Sequence, residues 1–231
     1  MAGAASVDVY LEMGAKRVFA GAIEWPGWCR SGRDETEALD ALDAYAPRYA
    51  EVLRGSRLGF RAPKTSNGLE ITERLKGNPT TDWGAPDVAP DADGRPIDRR
   101  ELARLRRILE ASWGSLDRVA AAAEGAELRK GPRGGGRELD AIVAHVIGAE
   151  GAYLRRIAGT PPKVDDADPS ASLDDVRRAV LDGLERAASE GVPETGPRGG
   201  KMWRPRYFVR REAWHVLDHV WEIEDRATRS A

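Results

Sequence analysis

The periodicity of apolar residues changes partway along this chain, and that change limits what it can fold into. Before residue 84 the apolar positions fall in short runs of β-branched and aromatic residues; after residue 96 they recur every three or four residues. Between the two lies GAPDVAPDADGRP, residues 84–96, rich in Pro, Asp, Ala and Gly and short of anything to bury. The expected organisation is an α+β domain over 1–82, a linker over 83–96 and an all-α up-down four-helix bundle over 97–228.

In the first domain VDVYLEM and RVFAGAIEW read as strands joined by a hairpin at GAK, with PGW ending the second. Asp34 to Leu53 reads as one helix, with Ala38, Leu39, Leu42, Ala46, Tyr49 and Leu53 at helical spacing, and LEITERL as a last strand. In the second domain four amphipathic runs follow: Asp98 to Ala123, 137–158, Ser172 to Ser189 and 206–227. The third opens on Ser172 followed by Asp175, a capping-box-like start. Connections of modest length imply alternating directions.

Net charge is −2, divided as −3 over residues 1–96 and +1 over 97–231. Neither half carries the positive excess that phosphate-backbone binding uses, so nucleic acid is not the expected partner. No apolar run reaches the length of a bilayer span, and the N-terminus has no basic head before an apolar stretch. A single cysteine, Cys29, excludes an internal disulfide framework and suits a reducing cytoplasm. In its PGWC turn it reads as a buried structural thiol.

The chain has three histidines, and their placement carries the functional reading. His215 and His219, in WHVLDHVWE, are spaced i,i+4 and so share one face of a helix. His145 lies mid-helix in AIVAHVIGAE. Each lies at the edge of its helix's apolar stripe, where ligands can meet and still be reached from solvent. Three neutral imidazoles with an open position define a catalytic rather than a closed metal site. Two loops containing GPRGG precede the second and fourth helical runs. If those helices are parallel, both loops border one opening above the histidines.

Glu212, one turn before His215, is a candidate general base. Glu222 and Asp218 are candidates to orient a ligand imidazole. Arg204 and Arg206, with Trp203 and Tyr207, form a candidate substrate-binding rim suited to an anion, joined by Arg198 and Lys201.

ELDAIVAHVIGAEGAYLRRI and RREAWHVLDHVWEIEDR resemble the second and last helices of the DinB-like, or mycothiol-dependent enzyme-like, four-helix bundles. The resemblance covers about residues 97–228. It implies that His145, His215 and His219 bind a divalent metal, zinc or nickel first. It also implies a low-molecular-weight thiol cofactor such as mycothiol or bacillithiol, and transferase, isomerase or hydrolase chemistry on a small anionic or electrophilic substrate. One departure is Glu138–Leu139, where many members carry a tryptophan. VFAGAIEWPGWCRSGRDETEALDALDAYAPRYAEVL is similar to the HicB-like, partial ferredoxin-like domains. That likeness implies an alternative, non-enzymatic role, in which the N-terminal domain meets a protein partner or a second copy of the chain.

Overall fold

The computed structural model describes residues 6–63, 68–130, 136–165, 172–197 and 199–227. Among these residues it is α+β: a four-stranded mixed sheet with seven α-helices. Strands β1 (Val7–Met13), β2 (Val18–Ala22), β3 (Cys29–Gly32) and β4 (Leu69–Lys76) lie in the order β3-β2-β1-β4. β1 pairs antiparallel with β2 and parallel with β4, and β2 pairs antiparallel with β3. The turn at Gly14 closes on the carbonyl of Arg17, so the expected hairpin forms. The sheet gains one strand that alternation did not reveal: β3 starts at Cys29, in the segment read as a turn, because four residues are too few to display a period.

The single helix expected over 34–53 is two, α1 (Glu35–Ala44) and α2 (Ala46–Val52). Asp34 caps α1 by accepting from the N–H of Glu37. Pro47 lacks the N–H that would continue the ladder, and the helix restarts at Tyr45. A short helix α3 (Pro79–Trp83) follows β4.

The four long helices are α4 (Arg99–Ala122), α5 (Leu139–Leu154), α6 (Leu173–Glu190) and α7 (Pro205–Arg226). Their directions correct the alternating order. Glu101 of α4 pairs with Arg206 of α7, and Leu128 bridges Ala227, so α4 and α7 run the same way. α5 runs against α7: the N–H of Trp203, before α7, donates to the carbonyl of Arg156, after α5. At the other end Gly136 lies beside Arg226. Ion pairs Arg106–Glu185 and Arg177–Asp117 set α6 antiparallel to α4, and so parallel to α5. The order is down-up-up-down. Ser172 forms no capping box; its hydroxyl accepts from the N–H of Asp165.

The linker of the sequence reading is a bonded strap. Glu12, buried in β1, accepts from the N–H groups of Asp87 (2.9 Å) and Val88 (3.0 Å). Asp93, in a 3-10 turn over Asp91–Gly94, is buried and receives Arg210 of α7 at 2.8 and 2.7 Å. The same guanidinium donates to the carbonyls of Ala22 (2.8 Å) and Ile23 (2.9 Å) at the end of β2. Polar side chains therefore fasten a segment that has few apolar groups to bury. One apolar cluster runs through both halves, from Val9, Trp28 and Leu42 to Leu109, Ile142, Val216 and Ile223. Gly27, at φ +93°, lets the turn before β3 press on α7; a Cβ there would meet Leu217 Cδ1 at 2.9 Å.

Candidate metal centre

α7 is buried on nearly every side, between the sheet, α4 and α5. Half of its residues are nonetheless polar or charged, and the buried ones among them, Arg210, Arg211, Glu212, His215 and His219, are therefore informative. His215 and His219 project from its α5-facing side. Because α5 is antiparallel, the middle of α5 crosses the middle of α7, and His145 arrives opposite the pair.

The three rings stand mutually edge-on, with centroids 4.8 to 5.1 Å apart. One nitrogen of each lies within 4.8 Å of the others. Nε2 of His145 and Nε2 of His215 are 3.2 Å apart. Two imidazole nitrogens on one tetrahedral ion, with bonds of about 2.0–2.1 Å, stand about 3.3 Å apart, so this pair already has the spacing of one edge. His215 and His219 are buried and His145 is the most open of the three.

The electrostatics suit ligation. Burial, and after it the two neighbouring imidazoles, push His215 down to about 2. Burial and Arg137 lower His145. Both rings are thus held neutral, with lone pairs free. Nδ1 of His219 is 2.8 Å from Glu222 Oε2. The hydrogen bond from His219, supported by Arg226, keeps the Glu222 carboxyl below the usual carboxylate range. An ionised carboxylate only accepts, so Nδ1 carries the proton and Nε2 of His219 is left as the ligating atom.

The other sequence candidates separate. Glu222 is where an orienting residue should be; Asp218 instead pairs with Arg30 of β3 at 2.8 Å. Glu212 is fully buried, and neither of its oxygens meets a hydrogen-bond donor among the described residues. Burial, and after it the nearby charge of Glu150, raise its carboxyl well above the usual range. Arg206 faces away: it pairs with Glu101 and donates to the carbonyls of Arg95 and Pro96, both at 3.3 Å. Trp203, Arg204 and Tyr207 line a cavity of about 800 Å³ between residues 87–94 and 192–207, with Arg156, Lys201 and Glu194. No histidine lines it. Trp203 nevertheless links it to the centre, since its ring meets Tyr153 (5.0 Å), whose ring meets His215 (5.6 Å).

The antiparallel pairing also removes the shared opening. Arg129 and Gly136 lie at the α7 C-terminus, whereas Trp203, before α7, lies at the opposite end beside Arg156. The first GPRGG, residues 131–135, and Arg198 lie outside the described residues. Cys29 is buried as expected, accepts a long contact from the Tyr10 hydroxyl at 3.8 Å, and is pushed up to about 12 by burial. The residues that sequence reasoning passed over are Tyr153 and Arg211. Their signal was spacing: Arg211 precedes His215 by four, and Tyr153 follows His145 by eight, so each continues a ligand's helical face.

Comparison with protein-family models, with curated proteins and with solved structures found no match. Among the described residues no helix is long and apolar enough to cross a membrane.

Proposed function

We propose that this chain is a metal-dependent enzyme of the DinB-like kind, its four long helices forming the bundle and its sheet a HicB-like domain. The observation that carries the reading is the convergence of three imidazoles from two antiparallel helices, with one proton position fixed by Glu222. Their donor set fits zinc or nickel and leaves a further position open. A bound ion would supply Lewis acidity and lower the pKa of a thiol such as mycothiol or bacillithiol, giving transferase-type chemistry on an electrophile.

The protein's own contribution is positioning. His145 and His215 stay neutral, Glu222 orients His219, and the rings of Tyr153 and Trp214 wall the site beside His215, at 5.6 and 6.3 Å. The cobalt(II)-loaded protein tests this. A small thiol should add a sulfur-to-cobalt charge-transfer band in the near ultraviolet, and the His215→Ala protein should give none. A cobalt spectrum indifferent to thiols would leave the metal and remove the thiol chemistry.

A second reading is a protein-binding module. Trp83, on the helix α3 that follows β4 in the chain, is 86% exposed, and β4 forms one edge of the sheet. Stoichiometric capture of a small protein that Trp83→Ser abolishes, with no effect of His215→Ala, would favour it.

A further inference from the structure

Arg211 is 6% exposed, yet no carboxylate lies within ion-pair distance of it among the described residues. Its guanidinium is held by rings instead: the carbon lies 4.9 Å from the Trp214 ring centre and 5.5 Å from that of Tyr153. One nitrogen donates to the Tyr153 hydroxyl at 3.3 Å, while Nε and Nη1 are buried without a hydrogen-bond partner. Neighbouring Glu212 does not neutralise it, since both Glu212 oxygens also lack a partner.

A buried cation without an anion is costly, and it is more costly beside a cationic centre. Arg210, the adjacent residue, shows the ordinary solution, with Asp93 and two carbonyls around it. Arg211 departs from that pattern on the helix that carries two of the three histidines. Arg211, His215 and His219 are spaced i, i+4, i+8, which places them in one row, with about 6 Å of axial rise between successive members. The rings of Tyr153 and Trp214 lie beside both the guanidinium and the His215 ring, so the same two aromatics flank the cation and a candidate ligand.

We propose that Arg211 is the anion-recognition residue of the three-histidine site. The ligand taken there carries a carboxylate or other small oxyanion roughly one helical turn from the atom that meets the imidazoles. This rests on the metal reading above and narrows its substrate or cofactor to a class: a short molecule with a metal-seeking donor at one end and an anion at the other. The aromatic walls exclude water from the guanidinium, which strengthens its pairing with that anion.

Calorimetric titration of the zinc-loaded full chain with 3-mercaptopropionate and with its neutral isostere 3-mercaptopropionamide tests the assignment. The anion is expected to bind about tenfold tighter or more, the scale of one charge-assisted hydrogen bond. Arg211→Gln should bring the two ligands to within about twofold while leaving zinc and the amide bound as before. Should that variant not fold, Arg211→Lys, which keeps a charge but loses the planar fork, should show a reduced preference. Equal binding of the two ligands by the native protein overturns the proposal and leaves the metal reading standing. A preference that either folded variant keeps unchanged overturns it equally. Failure of the native protein to bind zinc overturns the metal reading, and this inference with it.

Discussion

Glu222 Oε2 accepts the Nδ1 proton of His219 across 2.8 Å, three residues along the same helix. The contact fixes which nitrogen of His219 faces the other two histidines. Arg226, one turn further on, holds the same carboxylate through its second oxygen. Glu222→Gln keeps the shape and weakens this hold, so metal affinity should fall about 10- to 100-fold, the range found for such orienting partners. Competition titration against a zinc indicator measures it; an unchanged affinity would mean that Glu222 is only a surface ion-pair partner of Arg226.

The buried carboxyl of Glu150 makes a prediction about pH. Burial raises it to about 7, against the opposing charge of Arg177, while in the unfolded chain it titrates near 4.5. Between those values the folded protein holds a proton the unfolded chain has released, so its stability falls as pH rises through that window. The loss grows through that window and is complete above it. Glu150→Gln should therefore unfold later than the native protein at pH 8, with the advantage fading towards pH 4.5. Denaturant melts across that range test it, and a constant difference between the two proteins would refute it.

Asp93 and Arg210 form the buried ion pair that ties the strap to α7 and to the end of β2. Removing one partner leaves a buried charge alone. Asp93→Ala should cost about 3–5 kcal/mol in equilibrium unfolding. A cost below about 1 kcal/mol, the scale of an exposed pair, would show that the strap contributes no more than a surface loop.

At Gly27 the backbone requires a positive φ and α7 leaves no space for a Cβ. Gly27→Ala should destabilise by about 1–3 kcal/mol, through backbone strain and contact with Leu217. Thermal melts read this directly. A neutral effect would indicate that the turn before β3 moves freely on the helix.

Much of this fold could be read in the residues, and the exceptions have physical causes. The first hairpin, β4 and the four long helices all show their own period strongly enough to be found. β3 is too short to show one, and Pro47 divides a helix whose apolar spacing runs straight through it. Helix direction was the larger gap: apolar spacing says which face is buried, not which way the next helix runs. Reading α5 and α7 as parallel put both GPRGG loops at one mouth and Arg206 on its rim, whereas Arg206 is bound to Glu101. The histidine cluster survived that error because ligands at mid-helix meet in either direction. Spacing alone sets Glu212 one turn before His215 but does not show that its carboxyl is fully buried. Arg211 reads in sequence as a solvated partner for Glu212, because an arginine in a charged run, VRREAW, resembles a solvated face until its burial is known.

The central claim is that His145, His215 and His219 form one metal-binding unit, and metal stoichiometry tests it most directly. The purified chain, exposed to zinc and freed of loosely held ions, should retain about one ion per chain by elemental analysis. His215→Ala, with its circular-dichroism spectrum intact, should retain none. A native protein that holds no divalent ion, or a folded His215→Ala protein that holds as much as the native one, would contradict the account.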